Sequence, residues 1–256
     1  MGSRAYGLAT VGRAIGEGWL VLSRGALCSE SFITASGCLG MTGEPVADMN
    51  TGVLFDPLGS ERDLRAFVGL LRARGLPGEL VLLSPVAAEV GTLPGELGMS
   101  SVGALPLMCA RAADARRAET EYPAWRVHDQ AGVEDAASVL ADAFDVRPEW
   151  LRGWLGPDFP HLPGADLFAA GHDGHAVAAA GTGRVGDLVC VCVVGTRKAH
   201  RRRGAATAAL SAAIDHHVAR GAHLFCLVSS AAIQQLYVGL GFTVVDHPAV
   251  WRLPAG

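Results

Sequence analysis

Along the chain, apolar positions switch between strand-like alternation and helical spacing, and the switching is sharpest after residue 125. A short strand is predicted over 125–128. Val133, Ala136, Ala137, Val139, Leu140 and Phe144 then recur at helical spacing, and a second short helix follows over 149–155. A loop rich in Pro and Gly at 157–164 leads into apolar runs at 166–170 and 175–182, split by Asp173-Gly174. Asp-Gly between such runs predicts a hairpin, because a type I′ turn needs positive φ at both central residues. The run 187–196, DLVCVCVVGT, is almost continuously β-branched or small and apolar, the pattern of a strand buried on both faces. A helix is predicted over 204–220, closed by Gly221 just past its C-cap. A buried strand over 223–228, a helix over 230–239 with Ser230 at its N-cap, and strands over 242–246 and 249–253 follow.

The first 109 residues carry a weaker version of the same rhythm. Strands are predicted over 19–22, 31–35 and 53–55, then an amphipathic helix over 60–74. A strand at 80–83, a short helix after Pro85 and a strand over 102–108 complete it. The stretch ELGMSSVG at 96–103 parallels GLGFTVVD at 239–246, which suggests a degenerate internal duplication. Between the halves, the charged, Ala-rich segment 110–124 ends near Pro123 and reads as a connector. The expected organisation is therefore 1–109, a linker over 110–124, and 125–256.

Composition narrows the function classes. Half of the 256 residues are hydrophobic and 18% are charged, enough for a sizeable core. The formal charge of −4 gives no pull toward nucleic acid or an anionic membrane, and no apolar run is long enough to span one. Six cysteines (28, 38, 109, 190, 192 and 226) form no C-x-x-C pair. The expectation is a soluble, cytoplasmic, reduced protein, a monomer or homodimer, with the Arg- and Ala-rich composition of a GC-rich bacterial genome. No metal site is expected. His172 and His175 read as exposed hairpin residues, and adjacent His216 and His217 read as pointing to different sides of a helix.

The chemistry-bearing stretch runs from Val194 to Ala206, VGTRKAHRRRGAA, out of a buried strand into a helix. It has neither the spacing of a Walker loop nor the three glycines of a dinucleotide-binding turn. A helix opened by small residues leaves backbone N–H groups unpaired, and the helix dipole adds positive potential, which together make an anion site. Gly204, Ala205 and Ala206 leave room for close approach, and Arg201, Arg202 and Arg203 surround them with charge.

The run Arg201-x-x-Gly204-x-Ala206 resembles the [Gln/Arg]-x-x-Gly-x-[Gly/Ala] signature of the GNAT superfamily of N-acetyltransferases. Downstream, SAAIQQLYVGLGF from Ser230 to Phe242 resembles that family's second motif, Asn-x-x-Ala-x-x-Leu-Tyr-x-x-x-Gly-Phe, with Ser230 for Asn and Ile233 for Ala. The resemblance implies an α/β GNAT fold, a mixed twisted sheet flanked by helices, in two tandem modules of which the first has lost the phosphate signature. It implies acetyl-CoA as cofactor, with its pyrophosphate on the amides of the Arg201–Ala206 loop, its pantetheine arm along Val194, Gly195 and Thr196, and Ser230 nearby. It also implies Tyr237 as proton donor to the leaving thiolate, and direct attack by the primary amine of a small molecule. No general base is evident in the strand 187–196, and Glu30 and Asn50 are the expected acceptor contacts. Two other readings stay open: a silent acyl-CoA-binding regulatory module, and acyl transfer to a non-amine acceptor.

Overall fold

The structure, a computed structural model, describes residues 6–26, 29–117 and 120–256, the side chains of 152 and 153 excepted. Cys28 and part of the expected linker lie outside the described residues. The chain folds around a helix, α1 (Leu8–Ser23), that lies between two sheets. Ile15 and Leu22 are fully buried there, and Cys38, Val53 and Val81 from one sheet share a core with Leu188, Cys190 and Leu224 from the other. Each such side chain contributes roughly 1.5–3 kcal/mol of burial. Two glycines allow the close fit. A Cβ on Gly16 would lie 2.1 Å from Cys38 Sγ, and one on Gly18 would lie 2.4 Å from Cys190 Cβ. The strand expected at 19–22 is the last turn of this helix. Wedged between sheets, it lacks the broad polar face that separates a helix from a short apolar strand.

The first sheet has six strands: β1 (Glu30–Ile33), β2 (Gly37–Met41), β3 (Asn50–Leu54), β4 (Gly78–Leu82), β5 (Ser100–Ala104) and β13 (Ala249–Leu253). Their order is β1-β2-β3-β4-β13-β5, with β3 and β4 parallel and the other pairs antiparallel. Helices α2 (Ser60–Ala73), α3 (Ser84–Val90) and α4 (Leu93–Glu96) connect them. The second sheet has seven: β6 (Leu107–Arg111), β7 (Ala124–Arg126), β8 (Ala165–His172), β9 (His175–Val185), β10 (Leu188–Thr196), β11 (Leu224–Val228) and β12 (Thr243–Asp246). Their order is β12-β6-β11-β10-β9-β8-β7, and only β10 and β11 are parallel. Helices α5 (Gln130–Phe144), α6 (Pro148–Trp154), α7 (Ala205–Ala219) and α8 (Gln234–Gly239) flank it.

The two sheets repeat one topology. The series β1-β2-β3-β4 matches β8-β9-β10-β11, and the long helix after β3 matches the one after β10. Both helices open on a left-handed glycine, Gly59 at φ 85° and Gly204 at φ 87°. The expected division at 109 and 125 does not coincide with the sheets, because the halves exchange strands. β6 lies in the second sheet between β11 and β12, and β13 lies in the first between β4 and β5. Residues 110–111 are thus strand rather than linker. Among the described residues no helix is long and apolar enough to cross a membrane.

The C-terminal end of α7 is tied to the sheet by polar groups. His217 is fully buried with Nε2 2.8 Å from Thr182 Oγ1, and Asp166, ion-paired with Arg126, lies 3.8 Å from the Nε2 of both His216 and His217. The adjacent histidines therefore converge rather than face different sides. Successive side chains on a helix diverge by only about 100°, and long rings close that gap. Burial pushes the His217 pKa down from 6.5 to about 4 against the opposing pull of Asp166, and lowers His216 in the same way. A depressed histidine takes its proton later in the fold than in the unfolded chain. Stability is therefore expected to fall as pH drops from 6.5 toward 4, by on the order of 3 kcal/mol from His217. Urea midpoints at pH 7.5 and 5.0 measure this, and the difference should shrink in His217→Gln.

Candidate functional site

The site begins where two parallel strands part. Pairing of β10 with β11 runs from Leu188–Leu224 to Cys190–Cys226. Beyond it, β10 continues on β9 to Thr196, while β11 continues on β6 to Val228. The facing backbone edges open a cleft between them. A bulge falls at the same point: Val191 pairs with Thr182 and Val193 with Gly181, leaving Cys192 as the extra residue.

Past Thr196 the chain runs through a 3-10 turn (Lys198–His200) to α7. Gly204 holds the N-cap at φ 87°, which only glycine adopts without strain, and no side chain caps the helix. Its first-turn N–H groups face outward with the helix dipole behind them. A cavity of about 490 Å³ lies here, walled by Val194, Gly195 and Thr196 on one side and Gly204, Ala205 and Ala206 on the other. Arg201, Arg202 and Ser230 also line it, whereas Arg203 does not. Arg201 is fixed, donating to the carbonyls of Ala143 at 2.8 Å and Thr196 at 3.4 Å, so it joins the loop to the end of α5. The small residues, uncapped amides and arginines fit a pyrophosphate group.

A second cavity of about 320 Å³ continues from the first, sharing Phe144, Val194, Ser230 and Ile233 with it. Tyr237 on α8 lines it and is 4% exposed. Burial raises its phenol pKa, so the proton stays on Oη at neutral pH. Ser230 makes no capping hydrogen bond, and the helix expected over 230–239 is split into a 3-10 turn (Ala231–Ile233) and α8. Cys192 reaches this cavity. Cys190 is buried in the core, where desolvation and the neighbouring Cys192 and Cys226 raise its pKa and leave it an inert thiol.

A third cavity of about 200 Å³ continues inward, sharing Asp48, Met49, Trp154, Cys192 and Val228 with the second. Its other walls come largely from the first half: Trp19 on α1, Thr51 on β3, Glu79 and Val81 on β4. Arg252 on β13 places Nη2 2.6 Å from Glu79 Oε2 and 2.5 Å from Asp48 Oδ1. Burial, and then the charge of Asp48, raise the Glu79 pKa, with Arg252 opposing.

The expected acceptor contacts lie elsewhere. Glu30, on the outermost strand β1, is ion-paired with Arg74 and does not line the channel. Asn50 is fully buried and ties a loop together: its Nδ2 donates to the carbonyls of Glu44, Val46 and Pro77, and its Oδ1 accepts from the N–H of Thr42 and Gly43. It acts one step behind the cavity, holding the segment that presents Asp48 and Met49. Sequence reasoning missed Asp48, Glu79, Trp19 and Trp154. The one available signal was a lone carboxylate, Glu79, inside the apolar run GELVLL.

Comparison with known proteins agrees with this arrangement. Residues 134–242 match the acetyltransferase (GNAT) family, so the chain carries a GNAT domain in its C-terminal half. A GCN5-related N-acetyltransferase from Kribbella flavida has the same fold over 98% of both chains, with a TM-score of 0.71 at 22% identity. A GCN5-related N-acetyltransferase from Sphaerobacter thermophilus superposes with a TM-score of 0.58 at 15% identity, over 87% of this chain and 81% of the other. A tandem GNAT protein from the clavulanic acid biosynthesis pathway gives 0.56 at 14%, over 90% and 85%. The two-module architecture is thus shared along nearly the whole chain. No curated protein matches it. Family and fold together support an acyltransferase.

Proposed function

We propose that the protein transfers an acetyl group from acetyl-CoA to the amine of a small molecule, with both bound at once. The observation that carries this reading is the row of three adjoining cavities, each sharing wall residues with the next, from the Gly204 loop past Tyr237 to the cavity lined by both halves. The amides of Ala205 and Ala206 and the Arg202 guanidinium hold the pyrophosphate, and the free edge of β10 from Val194 to Thr196 takes the pantetheine arm. Acetyl-CoA supplies a thioester carbonyl open to attack. The bulge at Cys192 interrupts the ladder with β9 beside the cavity, and backbone N–H groups freed there supply fixed dipoles that stabilise the negative charge developing on that carbonyl. Tyr237 keeps its proton on Oη and passes it to the sulfur as the C–S bond breaks, and the proton shed by the attacking amine restores the phenol.

Removing that proton tests the reading. Tyr237→Phe is expected to lower kcat by about 100-fold, the lower end of general-acid contributions, while the KM for acetyl-CoA stays within about twofold. Thiol release measured across an amine panel reads both numbers. Unchanged kcat would remove Tyr237 from the chemistry. A wild type that binds acetyl-CoA but acetylates no amine would favour a silent acyl-CoA-binding module instead.

A further inference from the structure

The third cavity adds the carboxylate of Glu79 and the indole of Trp19 to the Asp48 and Trp154 that it shares with the second. Its inner wall is apolar, formed by Leu20, Val81, Leu105 and Val228. Two half-buried indoles, Trp19 from the first half and Trp154 from the second, line it as well. Two carboxylates complete its lining. Glu79 is 15% exposed and Asp48 is 66% exposed, so the first is a wall group and the second a rim group. Arg252 binds both carboxylates without lining the cavity itself, which leaves a net charge of −1 on the side that faces a ligand. The cavity, joined to the cleft through shared walls, is itself the ligand site. The carboxylates and indoles then say which ligand fits.

An ammonium group beside Glu79 meets carboxylate oxygens and aromatic faces, both favourable to a partly desolvated cation. A carboxylate in the same place meets two like charges at low hydration, which is repulsive. We propose that Glu79 and Asp48, with Trp19 and Trp154, form the acceptor-recognition site and that this site selects small alkylammonium compounds over amino acids. The inference rests on the channel being an acyl-transfer site, and it assigns the first half a direct part in choosing the acceptor.

The test uses two probes of similar length, 1,5-diaminopentane and 6-aminohexanoate, titrated calorimetrically into the cofactor-free protein. Thiol release from acetyl-CoA is then followed with each. The diamine is expected to bind at least about 10-fold more tightly than the amino acid, and Glu79→Gln to weaken the diamine by about 10-fold or more. Asp48→Asn, at the exposed rim, should weaken it by about threefold. Arg252 keeps one carboxylate partner in either variant, and circular dichroism of both checks that the fold is retained. Equal binding of the two probes, or diamine binding untouched by both substitutions, overturns the proposal. Diamine binding without any thiol release leaves the recognition site standing and removes amine acetylation. Equal turnover of both probes, unchanged in Glu79→Gln, does the reverse.

Discussion

Gly204→Glu is expected to weaken acetyl-CoA binding by more than about 100-fold, equivalent to roughly 2.7 kcal/mol. Two effects act, the first on affinity and the second on stability. The first is charge: a carboxylate at the N-cap sits where helix dipole and free amides favour an anion, and it occupies them itself. The second is backbone strain, since φ 87° at this position suits only glycine and a side chain there costs about 1–3 kcal/mol. Space is not the obstacle, because the nearest atoms to an added Cβ are in Thr120, at 3.5 and 3.7 Å. Gly204→Ala separates the two effects, keeping the strain without the charge, and should retain most of the affinity. Calorimetric titration of acetyl-CoA into the three proteins checks it. Full affinity in Gly204→Glu would place the cofactor somewhere other than this loop.

Gly183→Ala is expected to destabilise the protein by as much as or more than the roughly 1–3 kcal/mol usual for overpacking. A Cβ on Gly183 would lie 2.1 Å from the carbonyl oxygen of Gly18, a backbone contact that no rotamer change relieves. The only escape is to push α1 away from β9, which loosens the core shared by both sheets. Gly69→Ala provides the contrast. Gly69 is exposed inside α2 with nothing within 4 Å of an added Cβ, so alanine there should stabilise by about 0.5–1 kcal/mol through helix propensity. Urea denaturation of the two variants should thus show midpoints moving in opposite directions. A Gly183→Ala protein as stable as the parent would mean that the contact between α1 and β9 is looser than the structure has it.

What was legible from sequence was local. The Asp173-Gly174 turn, with φ 53° and 76°, the apolar run of β10 and the Gly221 stop of α7 each declare themselves within a few residues. The first motif of the cleft spans the end of β10 and the start of α7, and the second is as local, confined to α8 and the turn before it. Elements with neither a polar face nor a run of branched residues were harder to read. Helix α1 shows no broad polar face, and β2, GCLGM, is two-fifths glycine and lacks the branched residues that mark a strand. The acceptor end was not legible, because it is made by the packing of two halves. A polar residue in a weakly patterned segment gives no sign whether it will face a cavity, as Glu79 does, or tie a loop, as Asn50 does. The histidine pair was misjudged for a related reason, since side-chain reach, rather than position on the helix wheel, decided their meeting.

The exchange of β6 and β13 has a consequence for how the protein is made. During synthesis the first sheet emerges long before residues 249–253, and until they arrive β4 and β5 have no strand between them. The nascent chain therefore carries the bare edge of β4, with its apolar GELVL run, until synthesis has passed from Ala104 at the end of β5 to Ala249 at the start of β13. The first sheet is therefore complete only when residues 249–253 join it, and until then the edge of β4 is an open template for any other extended strand.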